Sequence, residues 1–347
     1  MKRSLIAMIV MLFGAVVLAQ RGGPSPELQA AMAKQEALEK ATPKLQVTED
    51  VLSLSIPNHT IGEAVGVAKN SKGHLFVFTR SGNAGPAKGA TASQLFEFDP
   101  ANKFVKQWGP DNYAASFAHT VRVDKYDNVW MVDEGSGMIV KFDPNANVKM
   151  TLGRKPEAID YLEKYLERGE KDIERVPQAG VGTFNRQTDL AWDSQDNIFV
   201  ADGYNNSRVV KLAPDGTWLK EYGSYGSGDG QFNIVHSIAA GYGHVYVADR
   251  TNRRIQVFDY DLTFERYITG VGMPWAVQVT PKYIYSGDGD GKIYRLDHDG
   301  KLIDWAQTGM GQGQTGCIIH TLQAVSDTEL YRGSCTLWNA ARITFPN

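Results

Sequence analysis

Residues 231–261 read QFNIVHSIAAGYGHVYVADRTNRRIQVFDYD. Apolar and polar residues alternate up to a Gly-Tyr-Gly turn, alternate again to "VADR", break at a polar Thr-Asn-Arg, and resume in "RIQVFD". Alternation with a period of two, punctuated by Gly, Asn and Asp, is the pattern of short antiparallel strands joined by tight turns. The phrase recurs as GEAVGVAKNSKGHLFVFTR from Gly62, AHTVRVDKYDNVWMVDEGSGMIVKFDP from Ala118, and QTDLAWDSQDNIFVADGYNNSRVVKLAPDG from Gln187. It returns as PWAVQVTPKYIYSGDGDGKIYRLDHDG from Pro274 and IHTLQAVSDTELYRGSCTLWNAARITF from Ile319. A fourth strand follows in several copies, as in TWLKEYG after Gly216 and KFVKQWG after Asn102.

Six repeats of three or four strands predict an all-β fold, a six-bladed β-propeller, over residues 61–347. Closing the ring leaves no exposed sheet edge, so a monomer is expected. The words NSRVVKL and NRRIQVF resemble the NHL class of propeller repeats. Composition agrees: 35 glycines and 10% aromatics fit many short strands and turns better than a helical bundle. A net charge of -3 with no Lys/Arg-rich run argues against a nucleic-acid partner.

The N-terminus reads as an export signal over residues 1–19. Lys2 and Arg3 precede an apolar run from Leu5 to Leu18, and Val17-Leu18-Ala19 resembles a cleavage site. The run is short for a membrane span, so an exported protein, periplasmic or secreted and not membrane-bound after cleavage, is expected, with a retained signal anchor as the alternative. Residues 20–60 read as an extension and linker, with ELQAAMAKQEALEK as a short exposed helix or a tether. A charged helical insertion at about 154–187 reads either as a lid over one face or as a solvated decoration. In an oxidising compartment Cys317 and Cys335, on either side of a hairpin turning at Ser326-Asp327, are expected to pair.

Aligning the copies at the start of their innermost strand puts Glu63, His119, Thr188, His236, Trp275 and His320 in one slot. This strand lines the channel, and its first residue stands near one rim. Alternate blades of a sixfold ring are about 120° apart, so the three histidines would converge on the axis. One such histidine alone reads as a hydrogen-bonded channel residue. Three together suit a tetrahedral Zn²⁺ with an open fourth position. A second register, at the end of the next strand out, holds Arg80, Glu134, Gly203-Tyr204 and Arg250 on the same rim. Two cations and a phenol beside a metal can bind a carboxylate and move a proton. The plainer readings are interblade salt bridges for the arginines and a turn aromatic for Tyr204.

The stretch from QTDLAWDSQDNIFVADGYNNSRVVKLAPDGTWLKEYG through GQFNIVHSIA to VYVADRTNRRIQVFD closely resembles peptidyl-α-hydroxyglycine α-amidating lyases. The resemblance runs from about Ile61 to Phe345 and is sharpest between Thr188 and Phe258. It implies zinc held by His119, His236 and His320, Tyr204 as catalytic base, and Arg80 and Arg250 as the active-site arginines. The implied substrate is a small molecule or peptide, R-CO-NH-CH(OH)-COO⁻, whose hydroxyl the zinc acidifies. Tyr204, its phenolate favoured by Arg80 and the metal, would take the hydroxyl proton, and the C–N bond would break to give an amide and glyoxylate. Arg250 and Arg80 would hold the carboxylate, with Glu134 and Glu63 lining the site. The family also places an aspartate directly after its third zinc histidine to help hold Ca²⁺. Here that residue is Thr321, leaving the carbonyls of Ala64 and Val121 as donors. The family's Met-Pro before that histidine is Ile318-Ile319, and its disulfide cysteines do not match Cys317 and Cys335. No copper monooxygenase domain accompanies the repeats, so a separate enzyme is expected to supply any α-hydroxyglycine.

Two alternatives stay open on sequence. One is a metal-dependent lactonase or esterase using channel carboxylates, for which Glu63 is in the right slot. The other is a non-catalytic exported propeller that binds a peptide or glycan on its rim.

Overall fold

The computed structural model describes residues 26–81, 93–155, 180–309 and 316–346. The expected signal peptide, and residues 156–179 of the expected insertion, lie outside them. The ring is built from six antiparallel sheets. The first five blades run in sequence, each from an inner to an outer strand. Their inner strands are Glu63–Lys69, Ala118–Val123, Asp189–Trp192, Val235–Gly241 and Pro274–Val279.

The sixth blade is closed by both ends of the chain. Thr321–Ala324, Glu329–Ser334 and Asn339–Thr344 are its first three strands, and Thr48–Val51 pairs antiparallel with Asn339–Thr344 as the outermost. The segment read as a linker is thus partly blade. Glu49 of this strand accepts two hydrogen bonds from the fully buried Arg332, so the seam is ionic as well as hydrogen-bonded. Lys44–Leu45 adds a parallel strand to the edge of blade five.

Turn chemistry explains why the repeat folds alike in each copy. Asp99, Asp124, Asp143, Asp193 and Asp259 each accept hydrogen bonds from the backbone N–H groups two and four residues on. The residue three on adopts positive φ: Asn102, Asp127, Ala146, Asp196 and Leu262. These Asp-headed turns tie neighbouring strands of a blade tightly together. Alternating residues then pack into the gaps between blades. The buried apolar side chains of the described residues form six clusters, one per gap, such as Phe76, Phe78 and Trp108 of blade one against Met131 and Phe142 of blade two.

Cys317 and Cys335 form a disulfide, with Cα atoms 5.6 Å apart, as the hairpin reading expected. A helix, Pro26–Ala41, precedes the ring. Among the described residues no helix is long and apolar enough to cross a membrane.

Candidate metal centre and active site

One repeated device delivers the rim residues. The second strand of blades two, three and four ends in a buried aspartate: Asp133, Asp202 and Asp249. Each accepts backbone N–H groups from the segment leading into its own blade: Ser116 and Phe117, Asn185, and Asn233. Asp202 and Asp249 also pair with Arg208 and Arg254 of the third strand. The chain is thereby latched just before it presents Glu134, Tyr204 and Arg250.

The three slot histidines meet at the channel mouth. His119, His236 and His320 are 1–3% exposed, and their ring centroids lie 4.5–5.0 Å apart. Their candidate ligand nitrogens all lie within 4.8 Å of one another. The Nδ1 of His236 faces the Trp275 carbonyl at 2.7 Å, and that of His320 faces the Val65 carbonyl at 2.8 Å. A carbonyl partner fixes Nδ1 as the N–H and leaves Nε2 a lone pair, the orientation of a metal-ligating histidine. The Nε2 of His236 and both ring nitrogens of His119 are buried without a hydrogen-bond partner. Buried polar atoms are normally satisfied, so these nitrogens suit a cation as their partner. Burial pushes all three pKa values well below the ordinary histidine range; for His119 and His236 a neighbouring histidine adds to it, and for all three Arg80 does. Neutral imidazoles are the ligating form.

Tyr204 stands over His119 and His236, with centroids 5.8 and 5.9 Å away. Arg250 donates from Nη1 to its hydroxyl at 3.4 Å and stacks on Trp275 at 4.4 Å. The Arg250 Nε is buried without a partner, so this guanidinium retains donor capacity for an anion. Arg80 donates to the Ala118 carbonyl at 2.7 Å and to Glu63 at 3.3 Å, and lies 3.7 Å from Glu134. Burial, then Glu134, raises the Tyr204 pKa; Arg250, Arg80 and Arg186 pull it down without prevailing. The phenolate expected from Arg80 is therefore not the form favoured by the protein groups alone.

Sequence reading missed Arg186. It donates twice to Glu134 and lies 4.6 Å over the Tyr204 ring, closing a chain Arg80–Glu134–Arg186 around the phenol. It sits at the end of the insertion, where the repeat gives no phase, and at φ 62°. Three guanidiniums against Glu63 and Glu134 leave the rim one positive charge in excess.

Gly203 makes this approach possible. A Cβ there would lie 1.7 Å from the carbonyl oxygen of Val235, the residue before His236. Gly203→Ala should destabilise the fold by about 1–3 kcal/mol. Any shift of the Tyr204 loop against the histidines should cost about a hundredfold in kcat. Denaturation midpoint and kcat, measured together, check this; a variant with wild-type values for both would contradict the contact.

At Thr321 the carboxylate that the resemblance calls for on Ca²⁺ is absent. Thr321 offers a neutral hydroxyl, 3.4 Å from that of Thr120. A Ca²⁺ site there would draw on carbonyl and water oxygens in place of that carboxylate.

No protein-family model matches the chain. A Caenorhabditis elegans protein named "Probable peptidyl-alpha-hydroxyglycine alpha-amidating lyase" is 26% identical over 260 residues, 70% of this chain and 69% of the relative. A human NHL repeat-containing protein is 29% identical over 184 residues. The chain resembles amidating lyases and NHL-repeat proteins in sequence and folds as a six-bladed propeller. The rat peptidylglycine α-amidating monooxygenase is 28% identical over 258 residues, 66% of this chain but 24% of its own length. Among solved structures, a catalytically inactive virginiamycin B lyase from Staphylococcus aureus superposes with a TM-score of 0.56 over 86% of this chain and 99% of its own, at 10% identity. That likeness concerns the propeller fold.

Proposed function

We propose that this amidating-lyase-like propeller is a zinc-dependent carbon–nitrogen lyase that cleaves α-hydroxyglycine amides to an amide and glyoxylate. The observation that carries the reading is the meeting of three buried histidines, two of them with unpartnered ring nitrogens, beside Tyr204 and Arg250. The sequence likeness to amidating lyases supports it. His119, His236 and His320 would hold the ion, which supplies Lewis acidity that lowers the pKa of a substrate hydroxyl.

The chain's own groups do the rest. Arg250, with its unpartnered Nε, receives the substrate carboxylate, and Arg80 supplies the second cation. Tyr204 would accept the hydroxyl proton as its phenolate, a form that a bound cation would favour together with Arg250, Arg80 and Arg186. As the C–OH carbon becomes the aldehyde of glyoxylate, the C–N electron pair leaves on nitrogen, which takes up a proton to become the amide. One proton moves from oxygen to nitrogen, so neither water nor an oxidant is consumed. Glu134, 2% exposed between Arg80 and Arg186, serves as their counter-ion and not as a substrate contact. Glu63 is tied to Arg80 at 3.3 Å, which weighs against its use as a ligand in a carboxylate-metal hydrolase. Export is part of the proposal, supported by the disulfide and the N-terminal sequence.

The test is to incubate full-length protein with N-benzoyl-α-hydroxyglycine. Equimolar benzamide and glyoxylate, abolished by a chelator and restored by zinc, are expected. Zinc-loaded protein that releases no glyoxylate overturns the reading.

A further inference from the structure

The N-terminal helix does not float free. Gln35 accepts from the Gly272 N–H at 3.0 Å, and Glu39 accepts from Lys292 at 2.7 Å and from the Tyr294 hydroxyl at 2.7 Å. The Glu39 carbonyl accepts from Trp305 at 3.1 Å. These bonds pin the helix to blade five, and between the two lies a cavity of about 790 Å³. Met32 and Met273 give it apolar walls, and Trp275 forms its inner end. Trp275 is the same residue that stacks on Arg250 and lies 4.8 Å from the ring of His236. The cavity and the histidine cluster therefore share Trp275 as a common wall. Gly289 keeps that end in shape, since a Cβ there would meet the Trp275 indole nitrogen at 2.5 Å.

A carbinolamide core is small, and Arg250 and Tyr204 already account for its carboxylate and hydroxyl. A cavity of this volume is of the size that holds whole ligands. We infer that the groove between the helix and blade five receives the acyl part of the substrate: an apolar amino-acid residue, without negative charge, attached through its carbonyl to the amide nitrogen. The apolar walls select the first property. The second follows from the lining, where Glu36, Glu39, Asp288 and Asp290 outnumber Arg253 and Lys292. This subsite rests on the lyase reading for its orientation but not for its affinity.

The test separates the two. Titration calorimetry on full-length protein uses the product-like amides N-acetyl-phenylalaninamide and N-acetyl-glutamic acid α-amide. The phenylalanine amide should bind at least about tenfold more tightly. Met32 is 47% exposed, so its replacement leaves the core alone. Met32→Glu should weaken the phenylalanine amide about tenfold, and Met32→Leu should not. In turnover, Met32→Glu should raise KM for N-acetyl-phenylalanyl-α-hydroxyglycine by the same factor and leave N-acetyl-α-hydroxyglycine within about twofold. Equal affinity for the two amides, or indifference to Met32→Glu, overturns the subsite. Met32-dependent amide binding with no glyoxylate from either substrate keeps the subsite and overturns the lyase.

Discussion

Replacing Tyr204 by phenylalanine is expected to lower kcat by about a thousandfold, the middle of the range for loss of a general acid–base. The ring keeps its edge contacts with His119 and His236 and its place beneath Arg186. Only the hydroxyl, and its 3.4 Å contact with Arg250, is removed. KM and zinc content should therefore change little, since Arg250 still holds the carboxylate and the imidazoles are untouched. Steady-state kinetics with metal analysis reads both. A fall in kcat of less than tenfold would remove Tyr204 from the proton transfer. An equal loss of zinc would mean that the tyrosine supports the metal site instead.

The largest stability effect is expected below the histidines, on the channel axis. Arg122 of blade two donates twice to Asp189 of blade three, at 2.8 and 2.6 Å, and to the Leu322 carbonyl of blade six at 2.7 Å. Asp189 also accepts from Ser237 of blade four at 2.7 Å and from the Leu190 N–H at 2.8 Å. Four blades thus share one buried ion pair. Asp189→Ala leaves the Arg122 guanidinium uncompensated away from water, and unfolding should become easier by about 3–5 kcal/mol. Pairing Asp189→Leu with Arg122→Met should recover most of that, because the pair is worth less than the cost of leaving either partner alone. Chemical denaturation measures all three. A single variant within about 1 kcal/mol of wild type, or a double variant no better than the single, would show that the axis is not held this way.

Much of this was legible in the sequence because a propeller repeats its geometry with its phase. Once the inner strands were aligned, the slot of His119, His236 and His320 and the rim register of Arg80, Glu134, Tyr204 and Arg250 followed from counting. Elements outside that phase were not legible. Arg186 lies where the insertion breaks the count, and only the charge pattern of Glu134 between two cations would have called for it. Thr48–Val51 is four residues, TEDV, with no apolar alternation, and it joins blade six through backbone pairing and Glu49. The helix docks mainly through Gln35 and Glu39, with Leu38 packing near Gly270, so polar side chains mark its partner more than an apolar stripe does. Arg122 did leave a trace, as the one charge in the otherwise inward-facing run AHTVRV.

If the three histidines form one metal centre, each should be needed to hold the ion. Zinc is best counted by mass spectrometry on purified full-length protein after zinc loading and gel filtration, for wild type, His119→Ala, His236→Ala and His320→Ala. One zinc per chain in the wild type, lost in each of the three variants while the fold is retained, is the predicted result. A wild type that retains no zinc, or histidine variants that retain as much as the wild type, would contradict it.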